Sequence, residues 1–184
     1  MANICFMDIS FSGKAVPKLH DYLKTRVHNN NYLKEHNLDG YTMSVIGDNL
    51  SVHALSRNGP HMENWKPLAE KYDLKMDYMA TASDTELFIN TNPNIMPVCI
   101  YIDVTYKDIN LSLYCADADD IVPNFNELYQ TNFRSVDEIC ETIRDNINTG
   151  DYEEDHFYLY VYADEEGKPV IDYKDITIDS NTEH

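Results

Sequence analysis

Two apolar periods alternate along this chain, and their order limits the folds open to it. A period of two puts every second side chain on one face of a strand, and a period of three to four draws a stripe along a helix. Ile4 to Phe11 has the first period, and Ser12-Gly13 ends the run. Lys14 to about Asn29 has the second. Val16, Leu19, Leu23 and Val27 make one apolar stripe, Pro17 falls in the first turn, and Asn29-Asn30-Asn31 reads as a stop. Tyr41 to Ile46 and Leu50 to Leu55 return to strand spacing around Gly47-Asp48-Asn49, which is hairpin chemistry. A second helix is expected from about His61 to Tyr72, with Met62, Trp65, Leu68, Ala69 and Tyr72 on one face. Asn64 is its expected N-cap, so that Pro67 again lies in the first turn. Leu74 to Ala82 and Glu86 to Asn90 read as strands. The order β-α-β-β-α-β predicts an α+β fold with a ferredoxin-like split βαβ sheet.

The second half continues in the same alphabet. Val98 to Tyr106 and Ile109 to Cys115 predict a hairpin around Lys107-Asp108, rich in Ile, Val, Leu and Tyr. Ala116 to Arg134 reads as a loop. A third helix begins at Ser135, where Ser135-Val136-Asp137-Glu138 has the capping-box pattern, and Val136, Ile139, Cys140, Ile143 and Ile147 supply its stripe. Phe157 to Ala163 and Val170 to Ile178 predict a last pair of strands. The third helix and these later strands are expected to extend or cover the first sheet. That gives a ferredoxin-like core over residues 1–116 and an acidic extension, 117–184, packed on the same domain. Along the aromatic strand, Phe157, Leu159 and Val161 share one face and Tyr158, Tyr160 and Tyr162 the other. The tyrosine row either packs under the third helix or stands as a contact surface.

Charge divides the chain unevenly. Of 32 Asp+Glu and 14 Lys+Arg, residues 103–184 hold 21 and 5, a net of −16, and residues 1–102 hold 11 and 9, a net of −2. The excess gathers in three acidic turns: Asp117, Asp119 and Asp120; Asp151, Glu153, Glu154 and Asp155; and Asp164, Glu165 and Glu166. Such a field repels nucleic-acid phosphate, so direct DNA or RNA binding is not expected. It favours basic partners or metal cations, and it also serves solubility. Tyr152 and Tyr158 stand beside these acids as candidate apolar contacts.

Signatures of chemistry are not evident. The chain has no Gly-rich phosphate loop, GxSxG or HExxH. Asp117-Ala118-Asp119-Asp120 opens like a calcium loop, but Val122 and Leu128 stand where that loop needs Gly and Glu. His20 and His28 lack a third ligand at metal spacing, and His156 has only its neighbour Asp155. Cys5, Cys99, Cys115 and Cys140 form no Cys-x-x-Cys pair and lie in apolar stretches, as buried thiols do. No cofactor or metal is expected. The N-terminus lacks a signal-peptide pattern and no apolar run is long enough to span a bilayer, so the expectation is a soluble, intracellular protein.

Met1-Ala2-Asn3-Ile4-Cys5 with Ser12-Gly13, and then Trp65-Lys66-Pro67-Leu68-Ala69-Glu70-Lys71-Tyr72, resemble the first strand and second helix of YubB-type ferredoxin-like domains. Those domains occur on plasmids, prophages and phages. The resemblance covers the first half of the chain, with Ile4 where the family is expected to carry Trp. It implies a mobile-element setting and the sheet topology, and it carries over no catalytic residue.

Joined to the charge, it leads to one main expectation: a non-enzymatic acidic protein that occupies a basic surface of a nuclease or other DNA-handling protein, as an anti-CRISPR or anti-restriction inhibitor would. The alternatives are a small-molecule-binding or enzymatic domain with a cleft around His53 or His156, and a ligand-free module that oligomerises through its strand edges.

Overall fold

Strand β1 (Ile4–Ser12) is the middle of the first of two sheets in the computed structural model, which describes residues 3–82, 85, 87–106, 109–115, 120–148 and 156–170. Its alternation is complete: Cys5, Met7, Ile9 and Phe11 are buried, while Ile4 and Phe6 are exposed. β3 (Asn49–Arg57) and β4 (Lys75–Ala82) pair with it on either side, β2 (Leu38–Ile46) pairs with β3, and β5 (Leu87–Asn90) pairs with β4, all antiparallel. The order is β2-β3-β1-β4-β5. The β2–β3 turn is two residues, with Ile46 opposite Asn49 and Gly47 at φ +59°.

Helix α1 (Val16–Lys24) buries Val16, Leu19 and Leu23, and α3 (Lys66–Tyr72) adds Leu68 and Ala69 to the same core as the inward face of the sheet. Ser12-Gly13 is more than a strand terminator. Gly13 has φ +139°, and a Cβ there would lie 3.0 Å from Leu74 Cδ2. Its N–H donates to Asp48 O at 3.0 Å, tying the end of β1 to the β2–β3 turn.

Two local expectations change. The Asn29 side chain accepts hydrogen bonds from the N–H groups of Asn31 and Tyr32, both at 3.1 Å. The asparagine run thus ends one helix and caps the next, α2 (Asn30–Glu35). Asn64 is not the cap of α3. It closes a 3-10 turn (Met62–Asn64), its amide donates to His36 O at 2.8 Å, and Trp65 takes the cap position.

The chain divides into two compact units, residues 1–96 and 97–184. In the second, β6 (Ile100–Tyr106) lies between β7 (Ile109–Cys115) and β8 (His156–Val161), both antiparallel to it. Strands β6, β7 and β8 therefore do not extend the first sheet. Both edges of β6 are hydrogen-bonded within its own unit, and the first sheet ends, among the described residues, at the four-residue β5. The expected loop 116–134 contains helix α4 (Ile121–Tyr129), whose Ile121, Val122, Phe125 and Tyr129 are buried. Helix α5 (Val136–Asn148) starts where the capping box places it. Ser135 Oγ accepts from Glu138 N–H at 3.1 Å, and the Glu138 carboxylate accepts from Arg134 N–H at 2.8 Å, one residue before the expected donor.

Ile100, Ile102 and Val104 of β6 meet Phe125, Ile139 and Ile143 in this unit's core. After β8, Ala163 bridges Pro169 and Val170 N–H donates to Tyr162 O, as a returning strand would begin, and residues 171–178 of the predicted strand lie outside the described residues. The molecule is thus mixed α and β, with two antiparallel sheets and five helices among its described residues.

Candidate interaction surface

The division of charge follows the division into units. Pro97 to Ile102 carries no Asp, Glu, Lys or Arg, so residues 1–96 keep the net of −2 and 97–184 the net of −16. Among the described candidate acids, Asp120 precedes α4 and is exposed. Its side chain makes no cap, and its carbonyl accepts from Asn124 Nδ2 at 2.6 Å. Asp164 is committed to its own turn: Oδ1 accepts from Glu166 N–H at 3.0 Å and Lys168 N–H at 2.8 Å. This Asx turn, with Gly167 at φ +81°, presents Glu165 and Glu166 at its exposed tip. Asp117, Asp119, Asp151, Tyr152, Glu153, Glu154 and Asp155 lie outside the described residues.

Tyr158 falls into a larger arrangement that the sequence alone did not reveal. On the sheet face that does not supply the core, Tyr101 is opposite Tyr114 of β7 and opposite Tyr160 of β8. The ring centroids are 4.9 Å apart for Tyr101–Tyr114, 6.1 Å for Tyr101–Tyr160 and 6.2 Å for Tyr158–Tyr160. Tyr114 and Tyr158 are 53% and 52% exposed, Tyr160 is half-buried and Tyr101 is buried. Tyr162, expected in the same row, is fully buried beyond the end of β8. Beside the rings, Asp103 lies opposite Ser112 and Tyr158, and the Ser112 hydroxyl donates to its Oδ1 at 3.1 Å. The signal for this cluster was register. Tyr101 and Tyr114 flank the predicted hairpin at positions that a two-residue turn at 107–108 brings opposite each other.

Among the described residues, other polar groups pair locally. On the first sheet Asp8 and His53 are cross-strand partners joined by a hydrogen bond through Nδ1, both well exposed. Open clefts of about 400 and 310 Å3 are lined by Arg26, Tyr32 and Glu35 in one case and by Lys34, Asp39 and Arg57 in the other, and neither includes Asp8 or His53. His61 offers Nδ1 to Glu63 Oε1 at 2.9 Å and Nε2 to Arg57 O at 2.6 Å. Burial opposes a charge there, but two acceptors and the Glu63 carboxylate outweigh it, so the His61 pKa stands above its usual value and that of Glu63 below. Burial pushes the Cys5 thiol up to about 11, which leaves it protonated and unreactive. Among the described residues no three His, Cys, Asp or Glu side chains are grouped to hold a metal, and no helix is long and apolar enough to cross a membrane.

No protein-family model matches the chain, and no curated protein matches it.

Proposed function

We propose that this chain is a non-enzymatic acidic binding protein of phage or mobile-element type, working in a bacterial host's cytoplasm. Its 97–184 unit occupies a basic surface of a nuclease or other DNA-handling protein in place of phosphate. The observation that carries this reading is that 21 of the 32 acidic residues and only 5 of the 14 basic ones fall within one separately cored unit. A domain so charged draws a basic surface to itself by long-range attraction and repels nucleic acid. Inhibition of the anti-CRISPR or anti-restriction kind follows if the occupied surface is the one that grips DNA.

The 1–96 unit we read as ferredoxin-like. Its strand order β2-β3-β1-β4, reached through β1-α1-β2-β3-α3-β4, is compatible with the split βαβ arrangement, with α2 inserted and β5 appended. That reading and the YubB-type motifs at Ser12-Gly13 and Trp65 to Tyr72 support a mobile-element setting.

The test is DNA cleavage by purified host restriction and CRISPR nucleases, with and without equimolar protein, at about 0.05 and 0.5 M NaCl. Added salt shortens the Debye length from over 10 Å to under 5 Å and should release inhibition that rests on charge. Cleavage blocked at low salt and restored at high salt is the expected result. Unimpeded cleavage across the panel at low salt, or inhibition indifferent to salt, overturns it.

A further inference from the structure

We infer that the tyrosine face of the 97–184 sheet is an arginine-recognising surface, taking arginine side chains presented by a basic protein partner. The inference rests on the acidic-binding reading above and gives it a contact surface and a preferred basic residue.

Three strands build the surface in two cross-strand rows. Tyr114, Tyr101 and Tyr160 form one row, and Ser112, Asp103 and Tyr158 the next. The rows follow from strand pairing, so the six side chains are set by backbone hydrogen bonds rather than by a loop. The opposite face of the sheet supplies the unit's core, and on this face Tyr114 and Tyr158 are exposed on either side of the buried Tyr101. Tyr114 and Tyr158 expose about half of their surface, and the first three rings follow one another at 4.9 and 6.1 Å across the strands. Contiguous aromatic surface of this kind marks interaction sites more often than inert exterior.

The class of partner follows from charge and ring chemistry together. A unit of net −16 excludes an acidic or nucleic-acid partner. Lysine and arginine both answer the charge, but they do not answer the rings alike. A guanidinium is planar and weakly hydrated, so it lies flat on a tyrosine while its N–H fork reaches a carboxylate. An ammonium is a compact, strongly hydrated point charge that gains less from a ring face. Asp103, directly opposite Tyr158 and oriented by the Ser112 hydroxyl, puts a carboxylate beside an exposed ring. That juxtaposition matches stacking and a charge-assisted hydrogen bond by one side chain.

The test titrates the full chain with an arginine hexapeptide and a lysine hexapeptide at matched low ionic strength, with affinities read by calorimetry. Arginine peptide is expected to bind about fivefold more tightly, each exposed ring contributing about two- to fivefold. The Tyr114→Leu/Tyr158→Leu double variant should bring the preference close to one, with lysine-peptide affinity held. The Tyr114→Phe/Tyr158→Phe variant keeps the rings and should keep the preference, which guards against a loss caused by misfolding. Equal affinity for the two peptides, or a preference that survives the leucine variant, overturns the arginine surface while leaving acidic binding in place. If neither peptide binds, both readings fall together.

Discussion

His61 shows how one residue can make the stability of its unit depend on pH. It holds a left-handed backbone, φ 45° and ψ 51°, ahead of the turn that leads to Trp65. Both of its ring nitrogens face acceptors, which is the arrangement of an imidazolium. Because the folded His61 pKa is raised, its contribution is fully present below the usual value of 6.5 and is lost as pH rises through the folded pKa. Glu63, lowered from 4.5, contributes above that value and loses its contribution as pH falls through its folded pKa. The two windows overlap around pH 5 to 6. His61→Asn, which keeps tolerance of the left-handed backbone, is expected to lower Tm most in that window and least near pH 8. Thermal melts followed by Trp65 fluorescence measure the difference, and a gap that is flat or widens towards pH 8 would count against it. The sequence gives His61 no distinction from the other six histidines, because the acceptor on Nε2 is a backbone carbonyl that only the bend at Asn58-Gly59 brings near.

Elements were most legible where side-chain chemistry is local. The period-two run of β1, the turn after Ile46 and the Ser135 cap of α5 all depend on neighbours in sequence and all occur, with Asn49 moved from the turn into β3 and Glu138 bonding one residue early. Ser135→Ala removes one capping acceptor and should cost about 1 kcal/mol of stability. A urea melt followed by far-UV circular dichroism reads this, and an unchanged midpoint would show that the Glu138–Arg134 hydrogen bond suffices alone. Helix α4 was missed for a physical reason. Its stripe of Ile121, Val122, Phe125 and Tyr129 is short, Pro123 lies inside it and acids precede it, all of which are also marks of a loop. Burial against β6 and α5, not propensity, decides its conformation. The tyrosine cluster was half legible. The alternation of Tyr158 and Tyr160 is written in β8, but their meeting with Tyr101 and Tyr114 depends on strand pairing across more than forty residues.

At the scale of the molecule, the later strands read as sheet additions because nothing in a strand's own pattern says which sheet it joins. The pairing of β6 on both sides settles it for β6, β7 and β8, and the charge contrast follows the division into two units. That contrast has a colloidal consequence. Among the described residues no strand pairs with the outer edge of β2, Ile46 is 78% exposed there and Phe6 59% exposed on β1, yet the 1–96 unit carries almost no net charge to keep copies apart. Exposed strand edges template association, and charge is one of the ordinary defences against it. Produced alone, residues 1–96 should keep the blue-shifted emission of buried Trp65 but scatter light at concentrations where the full chain stays monodisperse. About 1 M NaCl, with a Debye length near 3 Å, should erase the difference. Equal scattering at low salt would refute it. The acidic half would then act as a covalently tethered polyion, whose repulsion keeps the near-neutral half dispersed until a basic partner neutralises it.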